Sequence, residues 1–260
     1  MFLLTENHYP IVSKALEQVD FNVMFARSVL AGHISGRVYA DCYSIPKSFY
    51  IAHDYGLSLL FGKTDNKQFN DELMNYFMEN DGTRARDVQV QAFPRKWDNF
   101  FDNLITANKA KRYNRLNFTF DENMFIKNNP SFHNNQIKPT TLDMFNNIEG
   151  LVVPKEFWRD EREFMKKAAS YTILVDDKPA STAFAAYRHD DLLEIGIETL
   201  SEYRGKGLAR VVCVALINHC LENKLTPMWS CRLENTASVK LAKKLGFLET
   251  KRFPFYYIQS

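Results

Sequence analysis

A nine-residue apolar run, "LLEIGIETL" (192–200), leads through "SEYRGKGLA" into "RVVCVALINHCLE", a long apolar segment with no internal helix breaker. Few folds accommodate that order. The first run has the length and β-branched content of a largely buried strand. The last places Leu208, Val211, Val212, Ala215, Leu216 and His219 on the i, i+3, i+4, i+7, i+8, i+11 face of a helix. Gly205 and Gly207 lie between them, where the chain must turn sharply from strand to helix. The predicted unit is a helix laid back on a sheet, within a mixed α/β fold. On that face His219 reads as a hydrogen-bonded or rim histidine.

A turn of this kind suits an anion. The first N–H groups of a helix have no intrahelical partner, and the macrodipole puts partial positive charge there. Glycines let successive amides curl around a charge without a Cβ in the way. Arg204, Lys206 and Arg210 add basic groups. Spacing alone leaves two readings open, an anion seat and a plain turn. Two better-known phosphate loops are excluded. A dinucleotide loop needs a third glycine where Arg210 stands, and the P-loop ending suggested by Gly62-Lys63-Thr64 has Leu57 where its first glycine belongs.

Composition narrows the classes further. The 260 residues carry 33 Lys+Arg against 31 Asp+Glu, a balance that argues against a dedicated nucleic-acid partner. "MFLLTENHYP" does not read as a secretion signal, and no apolar run reaches the length of a membrane span. Cys42, Cys213, Cys220 and Cys231 show no CxxC spacing and read as reduced residues of a cytoplasmic protein. No metal site is expected.

Along the chain, the Asn-rich stretch "NMFIKNNPSFHNN" (123–135) reads as a connector. It predicts a domain over 1–122, a linker over 123–132 and a second domain over 133–260. Before it come a helix over 11–30, three β-rich runs, a helix over 67–79, a strand over 88–93, an aromatic helix over 95–107 and the strand "RLNFTF". After it come a strand and short helix capped by Thr140 or Thr141, a helix in "KEFWRDEREFMKKAA", three strands, the long helix over 207–223, the strand "TPMWSC", a helix over 235–245 and a terminal strand. Both halves thus run helix, three strands, helix, strand, helix, strand, which suggests a structural duplication without evident sequence identity. Phe93, Trp97, Phe100, Phe101, Trp158 and Trp229 read as core.

Arg204, Gly207 and Ala209 form R-x-x-G-x-A, and this resembles the acetyl-CoA pyrophosphate loop of the GCN5-related N-acetyltransferases (GNAT). About 25 residues later, "ENTASVKLAKKLGF" is similar to the family's second signature, with Asn235, Ser238, Gly246 and Phe247 at matching spacing. The chain as a whole resembles a bacterial branch of the family with an additional N-terminal region. The resemblance implies the GNAT fold, a mixed and mostly antiparallel sheet flanked by helices, with the N-terminal half a degenerate copy. It implies acetyl-CoA as cosubstrate and an amine, small-molecule or peptide, as acceptor. Strands four and five would splay, with pantetheine bonded to the backbone of Ile197 and Thr199. Amides of Gly205, Lys206, Gly207, Leu208, Ala209 and Arg210 would hold the pyrophosphate beside Arg204. Asn235 and Ser238 would face the pantetheine arm or thioester, although Asn235 reads equally well as a helix cap.

Transfer to an amine needs a base, because lysine-like amines are mostly protonated near neutrality. Glu194 and Glu198 share one face of the fourth strand among apolar neighbours and are the candidates; the alternative is that both are ordinary paired glutamates. One position departs from the pattern. Many members carry a tyrosine where this chain has Ala242, so the leaving thiolate lacks its usual acid. Ser230, Cys231, Tyr256 and Tyr257 are possible substitutes. "FGKTDNKQF" stands where a duplicated loop would lie and lacks the paired glycines, so the first half is expected to be non-catalytic, covering the acceptor site or forming a homodimer contact. The absent tyrosine also motivates a rival reading, a non-catalytic acyl-CoA-binding regulatory protein.

Overall fold

Tertiary contacts divide the chain into two compact units, Met1–Arg115 with Phe253–Ser260, and Leu116–Arg252. The computed structural model describes residues 1–78, 86–130, 136–158 and 160–259. In the first unit the order is β1 (Phe2–Leu3), α1 (Tyr9–Leu16), α2 (Met24–Leu30), β2 (Gly36–Ala40), β3 (Ser48–His53), β4 (Leu57–Gly62), α3 (Lys67–Met78), β5 (Val88–Phe93) and α4 (Asp98–Thr106). A long strand, β6 (Ala110–Phe120), starts in this unit and ends in the second. There follow α5 (Glu122–Asn128), β7 (Ile137–Pro139), α6 (Leu142–Asn147), α7 (Pro154–Phe157), α8 (Glu161–Lys167), β8 (Ser170–Val175), β9 (Lys178–His189), β10 (Leu192–Thr199), α9 (Leu208–Glu222), β11 (Thr226–Arg232) and α10 (Thr236–Lys244). The last strand, β12 (Phe247–Ile258), starts in the second unit and ends in the first.

Each unit builds an antiparallel meander and then takes one parallel step across a helix. In the first, β2, β3 and β4 pair antiparallel, and β5 then pairs parallel to β4. In the second, β7, β8, β9 and β10 pair antiparallel, and β11 then pairs parallel to β10. The mixed, mostly antiparallel sheet and its flanking helices agree with the expected fold class. Both meanders use local chemistry. The β8–β9 turn places Asp176 and Asp177 at φ +50 and +58, the left-handed pair a two-residue hairpin requires and Asp tolerates.

The first unit closes on Tyr50, Leu60, Phe69, Leu73, Phe77, Val90, Trp97 and Phe101, all at most 1% exposed. Tyr256 stacks on Phe101 with centroids 3.9 Å apart. In the second, α9 lies over the sheet. Its buried set is wider than the sequence stripe and includes Cys213, Val214, Ile217 and Cys220, whereas Leu208, Ala215 and His219 are only half-buried. Periodicity marks where a stripe is centred, and neighbouring elements decide how far burial spreads. The four cysteines form no disulfide. Burial pushes the Cys220 thiol up to about 12. Trp97, Phe101, Trp158 and Trp229 are buried as expected, and Phe93 and Phe100 are half-buried.

Several boundaries differ from expectation. The helix predicted over 11–30 is two, because Glu17–Val23 breaks it and Asn22 Oδ1 accepts from the Met24 amide to start α2. "KEFWRDEREFMKKAA" likewise holds α7 and α8, since Asp160 caps the second through the Glu163 amide at 2.8 Å. Thr141 caps α6, while Thr140 is buried against Ser170 and Thr172. Residue 79, the last of the predicted 67–79 helix, lies outside the described residues.

The expected linker over 123–132 is helical through residue 128, with 131 and 132 outside the described residues. Asp121 caps that helix, α5, and Phe125 is buried beside Phe120. Gly246 lets α5 approach, because a Cβ there would sit 2.6 Å from the Phe125 nitrogen. Tertiary contacts therefore order a segment of poor intrinsic propensity. The unit boundary falls inside β6 rather than at 122, and residues 253–260 return to the first unit, because each long strand spans both units.

Candidate functional site

The parallel pairing of β10 with β11 is short. It covers Leu192–Glu194 against Thr226–Met228, and no pairing extends to Ile195–Thr199. The cause lies on the other edge of β10. Glu194 faces Tyr187 while Ile195 faces Ala185, leaving Ala186 as an extra residue in β9. A bulge bends and twists its strand, so β10 follows β9 away from β11 beyond Glu194. The result is a fork between the two strands. Gly196 fits this bend because the Phe184 ring covers it; a Cβ would lie 2.6 Å from that ring.

Backbone direction along the open edge follows from one bond. The Leu200 amide donates to the Ala180 carbonyl of β9. By alternation Glu198 and Gly196 turn their backbone groups to β9, and Ile197 and Thr199 turn theirs to the fork. This is the edge on which Ile197 and Thr199 were expected to bind a ligand. Thr199, however, is already engaged. Its carbonyl accepts from Arg204 Nε at 2.9 Å, and its amide donates to Glu198 Oε1 at 3.1 Å.

At the C-terminal end of β10 the expected loop is in place. Gly205 and Gly207 stand at φ +78 and +80, and Gly207 caps α9. A Cβ at either would meet nothing within 4 Å, so the space before them is open. Among the described residues, the amides of Gly205, Lys206, Gly207, Leu208 and Ala209 form no backbone hydrogen bond. The Arg210 amide bonds the Gly207 carbonyl. These are five free donors at the positive end of a fifteen-residue helix.

The basic side chains of the loop behave differently from one another. Lys206 lies over the Tyr203 ring at 5.1 Å. Arg210 turns away and holds the end of α5, donating to Asn129 Oδ1 and the Asn128 carbonyl. Arg204 pairs with Glu198 at 3.3 Å. The expected charge around the loop is thus largely committed to its neighbours.

The two candidate glutamates separate clearly. Glu198 Oε2 accepts from the Leu151 and Val152 amides, each at 2.9 Å, and Oε1 accepts from Arg204 and Thr199. Gly150 permits this, since a Cβ there would be 2.5 Å from the Glu198 side chain. A carboxylate with four donors has its acceptor sites taken and no lone pair left for substrate. Glu198 is a clamp tying the 150–152 loop to the glycine loop. Glu194 is buried at the crotch of the fork, and its carboxylate accepts from Ser230 of β11. The sequence offered Ser230 only as a substitute acid; that it touches Glu194 depends on strand register.

Asn235 caps α10, its Oδ1 accepting from the Ser238 amide at 3.1 Å. Ser238 Oγ accepts from the Trp229 indole at 3.2 Å. Ala242 is fully buried, so packing accounts for the small residue. Tyr256 and Tyr257 belong to the first unit, where the Tyr257 hydroxyl donates to Asp87. His219 bonds the Tyr171 hydroxyl at 3.3 Å, as a rim histidine should. No cluster of three or more metal-ligating side chains occurs among the described residues, and no helix among them is long and apolar enough to cross a membrane.

This geometry agrees with comparisons to known proteins. The chain is 28% identical over 235 residues, 90% of its length and 89% of the relative's, to the uncharacterized N-acetyltransferase YdfB of Bacillus subtilis strain 168. Its fold is similar to a GCN5-related N-acetyltransferase-like protein from Streptococcus suis 89/1591, with TM-score 0.72 and 20% identity over 97% of this chain and 99% of that one. It is also similar to a tandem GNAT protein from the clavulanic acid biosynthesis pathway, with TM-score 0.58 and 11% identity over 99% and 97% of the two chains. A sequence model described as GNAT acetyltransferase matches residues 16–256. With nearly the whole length matched, the chain belongs to the GNAT acetyltransferase family, a family of N-acetyltransferases.

Proposed function

We propose that the chain moves an acetyl group from acetyl-CoA directly to a primary amine of a small molecule or peptide. The observation that carries this reading is the fork, open from Ile195 onward and ending at five unpaired amides. When bound, acetyl-CoA would supply the activated thioester carbonyl. The amides of Gly205–Ala209 would hold its diphosphate, and the free edge of Ile197 would orient the pantetheine. Asn235, with its Oδ1 spent on the cap, would offer only its Nδ2 donors.

Glu194 is the base in this reading. It is buried at the crotch, where the Ser230 hydroxyl donates to it. Ser230 shares that proton path and can return a proton to the leaving sulfur. The need is small, because a thiol of pKa near ~8.5 leaves without a strong acid. The first unit is non-catalytic in this proposal; its likeness, over nearly the whole length, to a tandem GNAT protein supports a duplication in which one copy lost the loop. A cytoplasmic setting is part of this proposal.

Gly207→Val tests the proposal by steady-state kinetics. Its φ of +80 strains a β-branched residue, and the side chain would fill the open approach to the amides. KM for acetyl-CoA should rise at least about tenfold, the loss of one charge-assisted bond. Unchanged KM would refute the loop assignment. The rival regulator reading draws on the buried Ala242. Calorimetric acetyl-CoA binding without thiol release across a broad amine panel would select it.

A further inference from the structure

The first unit contains a cavity of about 660 Å³ whose lining does not belong to the transferase site. Its apolar wall includes Phe49 and Phe61, stacked with centroids 4.9 Å apart, and Phe93. Its polar wall includes Lys47, Lys63 and Lys96, from three separate segments. Asp65 in the lining pairs with Lys63 at 3.7 Å, and the Asp41 carboxylate accepts from the Lys47 amide at 2.9 Å. The Lys47 and Lys96 ammonium groups have no ion partner among the described residues.

This convergence is built by the backbone. The Lys63 amide donates to the Lys47 carbonyl at 2.8 Å, and Ser48 Oγ donates to the Lys63 carbonyl at 2.8 Å. The Trp97 indole donates to the Gly62 carbonyl at 3.2 Å, which fixes the segment carrying Lys96. Gly62 allows this at φ +94, because a Cβ would lie 2.1 Å from the Lys47 carbonyl oxygen. Three basic side chains along one rim offer a bound anion several charge-assisted donors. The volume lies within the usual range for small-molecule sites.

The same unit excludes a pantetheine arm. Here β4 and β5 pair continuously, from Leu57 against Gln89 through Phe61 against Phe93, so no fork opens. We propose that the first unit binds a small organic anion with an apolar body, its phosphate or carboxylate head on Lys47, Lys63 and Lys96 and its body against the phenylalanines. This does not rest on the transferase assignment.

The test is calorimetry of the full chain with phenyl phosphate, with inorganic phosphate and benzyl alcohol as head-only and body-only probes. Phenyl phosphate should bind one per chain and more tightly than either fragment. The Lys47→Gln, Lys63→Gln, Lys96→Gln triple variant should bind at least about tenfold more weakly, as expected when charge-assisted contacts are lost. These side chains are exposed, and an unchanged thermal midpoint would verify folding. Gly207→Val should leave phenyl phosphate binding intact, and saturating CoA should not displace it. Absent binding, equal binding by the triple variant, or displacement by CoA would each overturn the proposal.

Discussion

Replacing Glu198 by Gln separates a structural clamp from a catalytic base. The carboxylate accepts two backbone amides at 2.9 Å through one oxygen and Arg204 and Thr199 through the other, with the side chain 11% exposed. A glutamine can keep one oxygen on the 150–152 amides, but its NH2 then faces Arg204, a donor against a donor. Hydrogen bonds to a charged group contribute about 1.5–3 kcal/mol each when buried. Leu151 is 80% exposed, so water recovers part of that loss. A net cost of about 2 kcal/mol follows, a fall of about 4–8 °C in the midpoint of thermal unfolding for a chain of this size. If Glu198 only clamps, the acidic limb of kcat against pH stays where it is in the parent enzyme. Glu194→Gln should do the reverse, abolishing that limb and lowering kcat by about a hundredfold or more. The reasoning fails if Glu198→Gln removes the acidic limb while its unfolding midpoint is unchanged.

Two further outcomes are expected. Ala242→Tyr places a phenol where the chain is fully buried, so it should destabilise the protein by about 1–3 kcal/mol and leave kcat no higher; an increase in kcat at unchanged stability would contradict the packing account. His53 is held neutral, its pKa lowered to about 4, first by burial and then by the Arg86 charge. The unfolded chain binds that proton near ~6.5, so stability from this group is full above that value and falls as pH drops toward 4, by up to about 3 kcal/mol. Denaturant titrations at stepped pH should show this slope, and His53→Gln should flatten it.

Much of the fold was legible because its signals are local. Alternation in "LLEIGIETL", the glycines before a long apolar helix and the Asn235 cap each report their own backbone. The segment 123–128 was misread for the opposite reason. Its helix depends on Phe125 docking at Gly246 and on Arg210 holding Asn128 and Asn129, partners more than 80 residues away. No local pattern encodes such contacts.

For the site, the amino-acid pattern alone located the turn whose positive-φ glycines start a helix, since that is a property of consecutive residues. It also named both glutamates, but it could not rank them, because they alternate onto the same face of one strand. Tertiary structure gives the two different surroundings. A bulge in β9 opens the fork and leaves Glu194 beside Ser230, while a loop from residues 150–152 closes over Glu198. A carboxylate's role depends on who donates to it, and those donors come from strands and loops 36 and 46 residues away in sequence.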